Sequence, residues 1–89
     1  MIRVEFAPAL QRHVNCPVQQ VEATTLREAL DTAIAAAPAL AHYVFDDQGA
    51  VRKHVAVFVN DELVRERVRL DRRLAGGDRV MVIQALSGG

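Results

Sequence analysis

The sequence has a single cysteine, Cys16, so no internal disulfide can form. The same scarcity excludes a ferredoxin-type iron–sulfur centre, which takes a full set of thiolates. There is no surplus of either charge. Eleven basic residues balance eleven acidic ones to a formal net charge of +0. A general nucleic-acid binder needs a basic excess to displace counterions from phosphates, so that class is excluded. No apolar run reaches the roughly 18 residues that cross a bilayer. The N-terminus, Met1 to Phe6, alternates polar and apolar residues, unlike a signal peptide, and a cytoplasmic protein is expected. The three histidines, His13, His42 and His54, lack metal-ligand spacing, since zinc takes about four ligands, or three and a water. No metal site is expected. The acidic pairs Asp46-Asp47 and Asp61-Glu62 lie in turn-like contexts, where solvated side chains are expected rather than catalytic carboxylates. Cys16, in the Asn15-Cys16-Pro17 loop, reads as a small, half-buried residue rather than a persulfide carrier.

What is present is enough apolar material for one core. The chain has 89 residues, one domain's length, and 51% of them are hydrophobic. Ile2, Val4 and Phe6 alternate with Arg3 and Glu5, which reads as a strand with one buried face. A weaker strand over 19–23 can pair with it as a hairpin. Thr25-Leu26-Arg27-Glu28 has the form of a capping box. Leu26, Ala29, Leu30, Ala33, Ile34 and Ala37 then fall on one helical stripe, and Pro38 stops the helix near Ala36. Pro38 opens a second short helical turn carrying Leu40, Tyr43 and Val44. Asp46-Asp47-Gln48-Gly49 is turn chemistry.

The run Val55 to Val59, β-branched and aromatic but for Ala56, reads as a central strand buried on both faces. Asn60-Asp61 turns the chain into a short strand over 62–64. Leu70 and Leu74 have the spacing of one helical turn. Gly76-Gly77-Asp78 forms a turn before a last strand, Val80 to Gln84. No repeat or internal linker is visible. The expected class is α+β, a mixed four- to five-stranded sheet packed on one main helix. One helix covers one sheet face. The alternate apolar set of the last strands, with Phe58, Met81 and Leu86 as candidates, is therefore expected to form a partner site, unless the segment from Leu40 to Phe45 or a long loop covers it. The arginines between Arg65 and Arg79 read as a solvated surface or as an electrostatic docking patch.

Residues 1–84 are expected to form the folded domain and 85–89 a flexible tail. That tail, Ala85-Leu86-Ser87-Gly88-Gly89, ends in two glycines, which cannot make a turn with nothing after them. Glycine backbone passes channels too narrow for any side chain. Five extended residues reach roughly 17 Å, enough to carry a terminal carboxylate into another protein's active site. An ionised carboxylate is a poor electrophile. Adenylation by an ATP-using partner gives it a leaving group, and a sulfur nucleophile can then displace AMP to leave a thiocarboxylate. On their own, two terminal glycines also suit a frayed end without a role.

The pattern before them points further. Gly77-Asp78 followed by Val80-Met81-Val82-Ile83, then Leu86-Ser87-Gly88-Gly89, resembles the end of the sulfur-carrier family that includes the molybdopterin synthase small subunit and the thiamine-pathway carrier. The family's hydrophobic strand ending in asparagine has its counterpart in Val57-Phe58-Val59-Asn60, and the helix opening at Thr25-Leu26 sits in the matching place. The resemblance spans the whole chain in layout and is specific chiefly at its C-terminal end. It implies a ubiquitin-like β-grasp fold and no bound cofactor. It also implies activation by a ubiquitin-activating-type adenylyltransferase that consumes ATP, a thiocarboxylate at Gly89, insertion of Gly88, Ser87 and Leu86 into partners, and a sulfur-accepting synthase. The chain would be a carrier and not an enzyme. Gln84-Ala85 stands where many molybdopterin synthase small subunits have two prolines. The long segment from Leu40 to His54, with Asp47-Gln48-Gly49 ahead of Arg52-Lys53-His54, looks more like carriers for thiocarboxylate-dependent cysteine synthesis. Molybdopterin synthesis and ubiquitin-like protein modification are the alternatives.

Overall fold

The computed structural model describes residues 1–7 and 18–84. Its elements are β1 (Ile2–Phe6), β2 (Gln19–Val21), α1 (Leu26–Ala35), a 3-10 turn (Pro38–Leu40), α2 (Ala41–Val44), β3 (Val55–Val59), β4 (Glu62–Leu63) and β5 (Arg79–Gln84). The sheet has five strands in the order β2-β1-β5-β3-β4. β1 runs parallel to β5, and the other neighbours are antiparallel. The mixed sheet and single main helix meet the expectation. The expected centre does not. β5, not the run Val55 to Val59, lies in the middle. β3 buries only Val55, Val57 and Val59, while Ala56 and Phe58 remain half-buried on the opposite face.

Local chemistry sets the helix. The Thr25 hydroxyl accepts from the Glu28 amide, and the Glu28 carboxylate reaches back to the Thr25 amide. The Thr24 hydroxyl and amide, then the Thr25 amide, hold the Glu28 carboxyl below the usual carboxylate range against a small desolvation penalty. α1 is capped at its C-terminal end by Ala36, two residues before Pro38. Its stripe of Leu26, Ala29, Leu30, Ala33 and Ile34 joins Leu40 and Val44 in one core with the inner sheet face of Ile2, Val4, Phe6, Val55, Val57, Val59, Val80 and Val82. The segment from Pro38 to Val44 thus extends the helical layer and buries Leu40 and Val44 in that core.

The spacing of Leu70 and Leu74 misleads. Leu70 has a φ of 53°, which no right-handed helix allows. The segment instead runs beside the start of α1: Arg72 and Leu70 carbonyls accept from the Leu26 and Arg27 amides, and the Leu74 amide donates to the Thr24 carbonyl. The Glu66 carboxylate accepts from the amides of Val68, Arg69 and Leu70, and so removes the donors a helix would need. Partial desolvation pushes the Glu66 carboxyl up, but the amides of Arg69, Leu70 and Val68 outweigh it and hold it below the ordinary range.

Arg67 fixes the far side of the same loop. Its guanidinium donates to the carbonyls of Val51, Arg52 and Val55, while its own carbonyl accepts from the Val51 amide at 2.8 Å. One planar fork thus joins the loop after β4 to the entry of β3. Arg67→Ala is expected to lower the unfolding free energy by about 2–3 kcal/mol, since hydrogen bonds to a charged donor are lost and part-buried carbonyls lose their partner. Arg67→Lys should recover little, because an ammonium cannot span the three acceptors. Urea unfolding midpoints measure both; equal midpoints for wild type and Arg67→Ala would remove the assignment.

Candidate functional site

β5 places the site. Its odd positions Arg79, Met81 and Ile83 point away from the helix, while Val80 and Val82 enter the core. In register, Met81 sits between Glu5 of β1 and Phe58 of β3, Ile83 beside Ala56, and Arg79 beside Arg3. Side chains directly opposite on one face approach to about 5 Å between Cβ atoms, so these positions form one surface. The result is an open groove of about 520 Å³ lined by Arg3, Glu5, Phe58, Asp61, Arg79, Val80, Met81 and Ile83. Its middle is Phe58, Met81 and Ile83, all half-buried. Its rim is polar and internally paired: Arg3 with Glu5 at 3.5 Å, and Arg79 with Asp61 at 3.3 Å. Exposed pairs of this kind hold little energy, so both arginines can exchange partners readily. An apolar centre with a polar rim is the anatomy of a protein-docking surface.

The end of the groove is locked by two residues that the sequence pattern marked. Asn60 and Asp61 take φ values of 49° and 70° between Val59 and Glu62, the left-handed pair of a tight hairpin. The Asn60 side chain accepts from the Arg79 amide and donates to Asp78, both at 2.9 Å, and its backbone amide donates to the Arg79 carbonyl. Asp78 also accepts from the Ala75 amide at 2.8 Å. That amide first, and the Asn60 side chain second, hold the Asp78 carboxyl below its ordinary range. Gly77, at a φ of 92°, supplies the bend ahead of it. The asparagine after β3 and the aspartate before β5 are thus positioning residues that fix how β5 enters the sheet.

At the other end β5 stops at Gln84, exposed and paired with Val55. Leu86, Ser87, Gly88 and Gly89 follow it and lie outside the described residues, as do His13 and Cys16. Phe58 and Met81 are brought side by side, as partners across the β3–β5 ladder. Arg3, Glu5 and Asp61 were not singled out as site residues. The alternation in the first six residues already puts Arg3 and Glu5 on the outer face, and the Asn60-Asp61 turn puts Asp61 at its end.

The arginine-rich stretch divides. Arg67 is committed to the fold, and Arg72 pairs with Glu62 at 2.6 Å. Arg65, Arg69 and Arg73 are exposed. Among the described residues no group of three His, Cys, Asp or Glu side chains could hold a metal ion, and no helix is long and apolar enough to cross a membrane.

The chain matches the model of the ThiS family over residues 10–89. No curated protein sequence matches it. Among solved structures it is similar to SAMP1 from Haloferax volcanii, with 27% identity, a TM-score of 0.83, and 99% of this chain and 98% of that one covered. It is similar in fold to CysO of Mycobacterium tuberculosis, with 24% identity, a TM-score of 0.80 and coverage of 97% and 100%. It also shares its fold with a chain from the complex of subunits 1 and 2 of the molybdopterin-converting factor of Helicobacter pylori 26695, with 20% identity, a TM-score of 0.64 and coverage of 99% and 97%. These neighbours share the β-grasp arrangement of a mixed sheet on one helix. The chain belongs to the ThiS family, a family of ubiquitin-like sulfur carriers.

Proposed function

We propose that this chain is a cytoplasmic sulfur carrier whose reactive group is the Gly89 carboxylate. The observation that carries the proposal is where β5 ends. The strand that runs out at Gln84 is the middle strand of the sheet, hydrogen-bonded on both sides, and its outer face forms the groove of Phe58, Met81 and Ile83. A partner seated on that groove holds the root of the tail at a fixed place, so the residues after Gln84 start toward its active site from a rigid origin.

The chemistry then belongs to partners. A ubiquitin-activating-type adenylyltransferase binds ATP, and a Gly89 carboxylate oxygen attacks the α-phosphorus while pyrophosphate leaves. A sulfur nucleophile displaces AMP at the acyl carbon and leaves a thiocarboxylate. A synthase with a larger chain accepts the sulfur, as subunit pairing in the Helicobacter pylori neighbour suggests for such domains. Leu86, Ser87 and Gly88 thread the channel, and the chain itself is a cosubstrate with no bound cofactor. Biosynthesis of cysteine or a related sulfur metabolite is the preferred destination of that sulfur. The segment between Leu40 and His54 supports this reading: it makes α2 and an Asp46–Gly49 turn, in which Asp46 accepts from the Gln48 and Ala50 amides. The 27% identity to SAMP1 favours protein modification through the same tail as a second reading. The small-subunit role in molybdopterin synthase uses the same chemistry with a different acceptor.

Intact-mass analysis of the chain purified from its native host tests the proposal. The expected species is heavier than the free acid by the difference between one sulfur and one oxygen, with the change confined to the C-terminal peptide. A free acid only, under conditions where the host is starved for the sulfur product, would count against a donor role. Attachment to other proteins would favour the modifier.

A further inference from the structure

Lys53 is the chain's only lysine; the other ten of its eleven basic residues are arginine. A guanidinium stays protonated in proteins and is no nucleophile, so Lys53 carries the chain's one side-chain amine able to attack an acyl group. It is exposed, and no ion pair or hydrogen bond ties it to the described residues. Its place in the fold is specific. Lys53 and His54 are the middle of a turn closed by the Val55 amide donating to the Arg52 carbonyl at 3.0 Å. Val55 begins β3 and pairs with Gln84, the residue from which the tail leaves.

Distances decide what the tail can meet. Lys53 is two residue steps from Val55, at most about 7 Å, and a paired residue across an antiparallel ladder adds about 5.5 Å. Lys53 therefore lies within roughly 13 Å of the Gln84 Cα, inside the roughly 17 Å that five residues can span, before its own side chain is counted. The other amine is the α-amine of Met1. The Met1 carbonyl accepts from the Gly77 amide, and β1 runs parallel to β5, so Met1 sits at the opposite end of the sheet. Seven strand residues at about 3.3 Å put it roughly 23 Å from Gln84, out of the tail's reach.

We infer that Lys53 is an internal acceptor for the chain's own activated C-terminus, a modification site that forms a Lys53–Gly89 isopeptide when the acyl group is not passed to sulfur. The inference rests on the carrier reading above for the source of the activated group. The neutral Lys53 Nζ attacks the Gly89 acyl carbon. The new C–N bond forms, the bond from that carbon to the AMP oxygen breaks, AMP leaves with the electron pair, and the ammonium proton passes to water. The product is a ring of residues 53–89 with no free carboxylate, and hence a chain withdrawn from the cycle.

The test uses the full chain made as a C-terminal 2-mercaptoethanesulfonate thioester by intein cleavage and left in mildly alkaline buffer. The expected product is lighter than the free acid by one water. Trypsin should release residues 53–65 joined to residues 80–89. A short tether gives an effective concentration near millimolar, so at about 10 µM protein the ring should exceed the cross-linked dimer by on the order of 100-fold. Lys53→Arg should give hydrolysis alone. Persistence of the lighter species in Lys53→Arg, acylation of Met1, or hydrolysis without ring formation in the wild type would overturn the inference. Pyrophosphate exchange with the adenylating partner, which does not involve Lys53, is measured in parallel. A chain that exchanges but does not cyclise rejects Lys53 capture and keeps the carrier reading; one that cyclises but does not exchange supports the Lys53 chemistry and rejects that reading.

Discussion

Deleting Gly89 is expected to abolish ATP-dependent activation of this chain while leaving its fold intact. The truncated chain still ends in a glycine carboxylate, at Gly88, so the reactive group is unchanged in kind. What changes is its position: the carboxylate retreats by one residue, about 3.3–3.6 Å. Misplacing a reacting atom by about 1 Å can cost on the order of 100-fold in rate, so a shift three times larger should bring exchange below detection. The core supplies the control. Every buried residue described lies between Ile2 and Val82, so thermal unfolding should not move. Pyrophosphate exchange gives the first measurement and circular dichroism the second. Undiminished exchange by the shortened chain would end the carrier reading.

Phe58→Asp should fail differently. It removes the largest apolar side chain of the groove and sets a carboxylate opposite Met81, so a seated partner would have to desolvate a charge. Central apolar anchors in interfaces contribute about 2 kcal/mol or more, which is a 30-fold or larger loss of affinity. The loss should appear as a raised KM for the carrier in exchange, whereas removal of Gly89 should lower turnover with little change in competitive binding. Because Phe58 lies on the outer face, the helix side of the core is untouched. Val68→Asp is the comparison: Val68 is 64% exposed and sits away from the groove, so a new charge there should leave KM unchanged. Equal KM values for the two variants would show that partners dock elsewhere.

The legible parts of this molecule are those set by near neighbours in sequence. Thr25 and Glu28 specify the start of α1 within four residues, Pro38 its end, and Asn60-Asp61 the hairpin turn. The outward set on β3 and β5 was legible for the same reason, since a period of two needs no partner to be read. Two features were not. Leu70 reads as helical beside Leu74, yet its positive φ comes with Glu66 capturing three amides and with pairing to residues near the start of α1, contacts no local window contains. Which apolar run becomes the middle strand depends on β5 entering between β1 and β3, and both runs look equally suited to that place. The groove's charged rim was split across β1, the β3–β4 turn and β5, so its members become neighbours only in the folded sheet. The tail residues carried the sharpest sequence signal and lie beyond the described part of the chain.

The parallel pairing of the first and last strands has a mechanical consequence. Tension drawn through Gln84 toward the tail runs along the axis of β5, and its ladders with β1 and β3 are loaded in shear. Shear stretches many hydrogen bonds at once, whereas peeling opens them one after another. A molecular machine that grips the far end of this chain must therefore overcome the whole middle of the sheet in a single event before the body yields.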